Sequence, residues 1–255
     1  MIGAIAGDII GSVYEHHRIK TKDFPLFQAR STFTDDTVLT VAVAAAILSG
    51  GSYVNAIRRM GRVHPGAGYG GAFSRWLQAD APQPYNSWGN GAAMRVSPVG
   101  FAFSTEEEVL HQARLTAGIT HNHPEGIKGA QAVALAVYLA RTGHHKETLR
   151  ARLQELFGYN LHRTVDEIRP FYAFDVSCQG SVPEALIAFL DSDSYEDAVR
   201  NAVSLGGDSD TLACMSGGIA EAFYGSVPSA IREKVERLLT PDLWAVTKTF
   251  YARYR

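Results

Sequence analysis

The chain has 255 residues, and its 24 Lys+Arg against 26 Asp+Glu give a formal charge of −2, too small a field to attract nucleic acid or an anionic membrane in general. A 46% hydrophobic share with 20% charged residues excludes a disordered chain, and the length suffices for one substantial core. Cys178 and Cys214 lie far apart with no Cys-x-x-Cys pair, which argues against a disulfide framework or a thiolate zinc site. Any metal would have to be held by oxygen or imidazole. The apolar N-terminus lacks a basic stretch and carries Asp8, so it makes a poor export signal, and the apolar run 38–48 is too short to span a bilayer. These features predict a soluble, cytoplasmic protein.

Taken in chain order, the punctuation is helical. Gly3, Gly7 and Gly11 recur every four residues beside Ile2, Ile5 and Ile9, which in a helix gives a smooth face for close packing. Thr34-Asp35-Asp36-Thr37 stands directly before the run 38–48. The Pro- and Gly-rich stretch 80–91 reads as a long loop. Thr105 and Glu108 form a capping-box pattern ahead of Val109, Leu110 and Ala113. Pro124 suits a first helical position before Ile127, Ala130, Ala134 and Tyr138, and Gly143 suits the stop. Leu149, Leu153 and Leu156 form an amphipathic stripe ended by Gly158. Pro183 is placed at the opening of a helix through Leu186 and Leu190, and Pro228 at the opening of another through Ile231, Val235 and Leu238, closed near Pro241. No alternating strands with hairpin turns and no repeats interrupt this pattern. The prediction is a single all-α domain over residues 1–255.

Two acidic clusters stand out. Alone, Thr34 reads as a helix cap, with Asp35 and Asp36 favouring the positive end of the helix. The second cluster, Gly206-Gly207-Asp208-Ser209-Asp210-Thr211, likewise reads alone as a turn entering a helix, with the glycines freeing the backbone so that both carboxylates can converge. Each offers two carboxylates and a threonine at the start of a small-residue helix. Such carboxylates repel one another unless cations neutralise them, and hard oxygen donors select Mg²⁺, Mn²⁺ or Ca²⁺. The charge count allows two divalent ions, which points to a metal-dependent hydrolase.

Five segments together resemble the ADP-ribosylglycohydrolase family, which includes dinitrogenase-reductase-activating glycohydrolases and ADP-ribosyl-serine and ADP-ribosyl-arginine hydrolases. They are 3–15 (GAIAGDIIGSVYE), 33–37 (FTDDT), 89–95 (GNGAAMR), 120–124 (THNHP) and 206–211 (GGDSDT). The resemblance implies a compact all-α fold with a binuclear Mg²⁺ or Mn²⁺ centre at the base of an ADP-ribose cleft. It also implies Thr34, Asp35, Asp36, Asp208, Asp210 and Thr211 as metal ligands, and Glu15 as a carboxylate bordering the metals. Residues 86–91 (NSWGNG) match the substrate loop. There Ser87, Gly89, Asn90 and Gly91 would bring backbone amides to the diphosphate, and Trp88 would stack on adenine. His121 matches a nucleotide-contacting histidine. His123 reads instead as a helix cap, Arg95 as a structural ion-pair partner and Asp8 as structural.

The implied reaction is hydrolysis at the ribose anomeric carbon of an ADP-ribosylated protein or small-molecule conjugate, through an oxocarbenium-like transition state. Glu15, Asp35 and Asp36 are the candidates for moving the water or leaving-group proton. Two other readings remain: a catalytically inactive ADP-ribose-binding or crystallin-like member, and a hydrolase of another nucleotide-like N-glycoside.

Overall fold

The computed structural model describes residues 1–254. In it the chain runs through α1 (Ile2–Gly11), α2 (Asp35–Ser49), α3 (Tyr53–Val63), α4 (Gly71–Gln78), α5 (Ser97–Ala102), α6 (Glu106–Gly118) and α7 (Pro124–Arg141). It continues through α8 (Lys146–Phe157), α9 (Val165–Ile168), α10 (Cys178–Leu190), α11 (Tyr195–Ser204), α12 (Ser209–Tyr224), α13 (Ser229–Leu238) and α14 (Pro241–Tyr254). A 3₁₀ turn spans Asn90–Ala92. Among the described residues no strand forms, and no helix is long and apolar enough to cross a membrane. The all-α prediction agrees with this architecture, and both cysteines are buried and free.

Helix α12 is the axis of the molecule, buried from Ser209 through Glu221 and packed by α1, α7, α10 and α11. α1, itself buried along its whole length, lies antiparallel against it. The glycine face explains the closeness. A Cβ on Gly3 would strike the Gly217 carbonyl, one on Gly7 the Ala213 carbonyl, and one on Gly11 the Ser209 carbonyl and the Asp210 backbone. Two backbones in contact leave no room for a side chain. This contact fixes the end of α1 beside the start of α12.

Local signals set the ends of the other elements. The Thr34 hydroxyl accepts from the Asp36 amide and starts α2, and Gly50 ends it in the left-handed region at φ 63°. Thr105 accepts from the Glu108 amide, but Glu108 reaches back to the Ser104 amide rather than to Thr105, so only half of that capping box forms. The complete box is at Thr164 and Glu167. His123 caps α7 by accepting from the Glu125 amide at 3.1 Å, and Gly158 ends α8 at φ 66°.

Two expectations need correction. Pro183 does not open a helix but lies inside α10, which starts at Cys178 with Ser177 as its cap. The proline forgoes the bond its amide would donate to the Gln179 carbonyl, a loss that buried Val182, Leu186 and Phe189 outweigh. Leu156 is exposed, and Phe157 joins Leu149 and Leu153 in the core; 156 falls on the flank of that stripe while 157 continues its i, i+4 line. The helix expected between Pro228 and Pro241 forms as α13, with Pro228 as its cap residue and its end at Leu238, and Pro241 then opens α14.

If the glycine face is what seats α1, Gly7→Ala should destabilise the protein by about 1–3 kcal/mol through overpacking. Gly118→Ala, where a Cβ meets nothing within 4 Å, should be neutral or stabilising by up to about 1 kcal/mol. Denaturant unfolding of both variants measures this, and a silent Gly7→Ala would contradict the packing.

Candidate metal centre and cleft

The antiparallel contact sets Asp8, on the last turns of α1, opposite Asp210, on the first turn of α12. Asp8 is fully buried and accepts from the Thr34 amide (3.0 Å) and hydroxyl (2.7 Å) and from the Thr37 amide (3.1 Å) and hydroxyl. One carboxylate thus pins the N-terminus of α2 to α1. Asp36, buried on that first turn, accepts from the Thr211 hydroxyl at 3.2 Å, which ties α2 to α12. Asp208, the residue before α12, accepts from the Asn90 amide group at 2.8 Å and so joins the centre to the glycine loop.

One oxygen each from Asp8, Asp36 and Asp210 lies within 4.8 Å of the others, and so does one each from Glu15, Asp208 and Asp210. The two groups share Asp210. Asp35 is in neither but lines the same cleft, together with Thr34 and Thr211. The structure therefore gathers both acidic clusters and Glu15 in one place. It also adds Asp8, which the sequence reading kept apart as structural. A carboxylate in an otherwise apolar, wholly buried helix was the available signal for it.

Burial dominates the electrostatics. It raises Asp8 to about 6 against its threonine hydrogen bonds. Burial, then the Asp8 charge, lifts Asp35 to about 7. Asp36 and Asp210 are driven well above the carboxylate range by burial and then by neighbouring aspartates. Burial also raises Asp208 and Glu15. Among the described residues none of these aspartates is ion-paired, and Glu15 has only His16 at 3.6 Å. Among the described residues Asp36 Oδ1 is buried without a hydrogen-bond partner. An orphaned carboxylate oxygen amid like charges fits a site built for a divalent cation, and the all-oxygen donor set is the one hard ions take.

Glu15, Asp35, Asp36, Asp208 and Asp210 form the floor of a cleft of about 450 Å³, and the fully buried Asp8 is not part of its lining. One wall is the loop bearing Ser87, Gly89, Asn90 and Gly91, with Arg95 and His121 behind it. Asn90 donates its amide to the Val176 carbonyl (2.8 Å) and Cys178 donates to Trp88 (2.9 Å), which fastens this loop to the start of α10. Trp88 is 54% exposed, outside the cleft lining, with its ring edge against His123 at 5.8 Å. Arg95 forms no ion pair; it is fully buried and donates to the Thr116 carbonyl and the Thr120 hydroxyl. The opposite wall, from Ala67 to Phe73, and the lining residues Tyr85, Phe174 and Val176 are absent from the sequence reading. The run 66–71 (GAGYGG), a second glycine-rich loop, was the signal for the first of these.

The profile of the ADP-ribosylglycohydrolase family matches residues 1–255. The chain belongs to that family. It is 28% identical to "ADP-ribosylhydrolase ARH3" of Mus musculus, over 96% of this chain and 88% of the relative. It is 26% identical to "ADP-ribosylarginine hydrolase Tri1" of Pseudomonas putida (strain GB-1), over 92% and 72% of the two chains. A solved "ADP-ribosylglycohydrolase-related protein complex" superposes with a TM-score of 0.71 at 25% identity, covering 98% of this chain and 97% of that one. Family membership makes this chain a hydrolase of ADP-ribose glycosidic bonds, and its acidic groups stand close enough to hold a metal. The mouse alignment runs over 328 positions, so that relative carries insertions this ADP-ribosylglycohydrolase lacks.

The raised carboxylates fix the sign of a pH effect. An acid whose folded-state pKa lies above its unfolded value stays protonated in the fold through the interval between them, so stability falls as pH rises across it. With Asp8 at about 6 and Asp35 at about 7, against about 4 for an unfolded aspartate, chelator-treated protein should lose thermal stability between about pH 4 and pH 7. Asp35→Asn should flatten this slope, and Mg²⁺ or Mn²⁺ should suppress it. Melting curves in chelator that are no steeper in pH for wild type than for Asp35→Asn would refute the assignment.

Proposed function

We propose that this family member releases ADP-ribose from an ADP-ribosylated protein side chain or a small-molecule conjugate, using two divalent cations, Mg²⁺ or Mn²⁺. Thr34, Asp35, Asp36, Asp208, Asp210 and Thr211 would hold them, and the Asp8 carboxylate lies close enough to share in that. The observation that carries this reading is the buried, unpartnered Asp36 Oδ1 within a group of aspartates that, among the described residues, form no ion pair. Cations bound there supply a water of lowered pKa and an anchor for the ribose hydroxyls.

The protein's own groups do the rest. Glu15, half-buried at the cleft, is the carboxylate best able to exchange a proton with solvent, and Asp35 and Asp36 are the alternatives for the same transfer. The loop of Ser87, Gly89, Asn90 and Gly91 lines the cleft; Gly89 and Asn90 donate their amides to the Ser87 hydroxyl and the Val176 carbonyl, so Ser87 and Gly91 are the positions whose amides would meet a diphosphate. The exposed Trp88 ring offers a flat face for adenine, a contact worth about 1–3 kcal/mol in comparable base stacks. His121 faces the same loop. The protein would work in the cytoplasm.

Arginine-linked, serine-linked and free ADP-ribosyl conjugates, each incubated with Mg²⁺, Mn²⁺ or EDTA and followed by chromatography of released ADP-ribose, test the reading and rank the acceptors. EDTA should stop release. Asp36→Asn and Asp210→Asn should each lower turnover by more than the roughly 10–100-fold typical of losing an outer partner of a metal ligand, with helicity unchanged. Full activity in EDTA or in either variant would overturn the assignment.

A further inference from the structure

Behind the glycine loop lies a chain of polar contacts that the hydrolytic reading does not use. Arg95 is fully buried, and its Nη2 donates to the Thr116 carbonyl and to Thr120 Oγ1, both at 2.8 Å. Thr120, also fully buried, has its Oγ1 2.7 Å from His121 Nδ1. Among the described residues that hydroxyl has no other hydrogen-bond partner.

The donor inventory settles the direction of each bond. A guanidinium can only donate, so the Thr120 oxygen accepts from Arg95. The hydroxyl retains one proton, and His121 Nδ1 is the one acceptor within reach. Were Nδ1 protonated instead, two donors would point at one hydroxyl whose own proton would be buried without a partner, at a cost comparable to a lost hydrogen bond. Nδ1 therefore accepts, and the ring proton sits on Nε2. That nitrogen faces the cleft loop: a Cβ added to Gly91 would lie 3.2 Å from it and one added to Gly89 3.7 Å. The ring is held from below by the His121 amide, which donates to the Ala117 carbonyl at 2.8 Å, and from the side by Tyr85 at 5.8 Å.

We infer that Arg95 and Thr120 are positioning residues that lock His121 in its Nε2–H tautomer, so that the ring presents a fixed hydrogen-bond donor to a substrate oxygen beside Gly89 and Gly91. The nature of that oxygen, a phosphate or ribose oxygen of ADP-ribose, rests on the function proposed above; the tautomer does not. The titratable and charged groups facing the ring are Arg95 and Tyr85, and burial with the Arg95 charge holds the imidazole down at about 3. The ring stays uncharged at neutral pH, and its cleft-facing nitrogen gives a proton to a hydrogen bond but does not take one. Such a nitrogen selects acceptor atoms at its position in the cleft and cannot serve as a general base there.

Long-range ¹⁵N–¹H spectra of histidine-labelled protein at neutral pH, without substrate, read the tautomer directly. Wild type and Thr120→Ser should show the Nε2–H pattern for His121, and Thr120→Val should show mixed tautomers. ADP-ribose binding by calorimetry should weaken about 3- to 10-fold in Thr120→Val and recover in Thr120→Ser. An Nδ1–H pattern in wild type would overturn the inference whether or not the variants fold. So would a Thr120→Val protein that keeps both a pure Nε2–H ring and wild-type affinity. The Nε2–H pattern in a wild-type protein that does not bind ADP-ribose would support the lock and overturn the functional reading instead.

Discussion

The contact between α1 and α12 is the constraint from which the site follows. Because Gly3, Gly7 and Gly11 carry no side chain, the two backbones touch along their length, and the antiparallel sense brings the end of one helix to the start of the other. Asp8 and Asp210 are thereby forced together inside a close-packed core, where burial and mutual repulsion both disfavour their charged forms. Packing of this kind is non-directional and strong in sum, so it can hold carboxylates in an arrangement their own electrostatics would disperse. The strain resides in the site, and the helices around it supply the stability.

Asp8 shows how one buried group serves both fold and site. Its hydrogen bonds from Thr34 and Thr37 determine where α2 begins, and the beginning of α2 determines where Asp36 points. Thr34 is likewise both the helix cap of the plain reading and a member of the acidic floor. The two readings of the Thr-Asp-Asp-Thr motif were never exclusive. A helix N-terminus gathers amides and tolerates carboxylates, so it is an economical place on which to mount such groups.

The helical class and the two acidic motifs were legible because they depend on local rules: caps, glycine stops and apolar spacing. His123 before Pro124 is the clearest case, since a cap and a proline at the first position name a helix start unaided. Proline also misled, because a missing amide and a fixed φ suit a helix end and a helix start alike. Thus Pro183 read as a start when Ser177 had already capped α10, whereas Pro241 both follows the end of α13, as read, and begins α14. Helices α3, α4, α5, α9, α11 and α14 went unplaced by the same reasoning, although Ser194 caps α11 by accepting from the Asp197 amide. The cleft wall from Ala67 to Phe73, and the lining residues Phe174 and Val176, were not legible as site residues. The glycine-rich run 66–71 marks the first of these as a loop, but that it lines the cleft, like the place of Phe174 and Val176, is set by tertiary packing.

The cleft has two chemically opposed sides. Its floor is acidic and short of cations, whereas its wall is a glycine loop backed by a buried guanidinium, with Nε and Nη1 unpartnered, and by an imidazole that donates toward the opening. A floor of this kind requires positive charge, and a wall of this kind suits negative charge. A ligand that satisfied only one side would leave the other side's desolvated groups uncompensated, which costs more than any single contact returns. A polyol joined to a diphosphate would satisfy both, its hydroxyls reaching the cations that such a floor could hold and its phosphate oxygens the donors of the wall. The separation of the two sides is itself a consequence of the packing, because Asn90 on the loop donates to Asp208 on the floor and sets how far apart they stand.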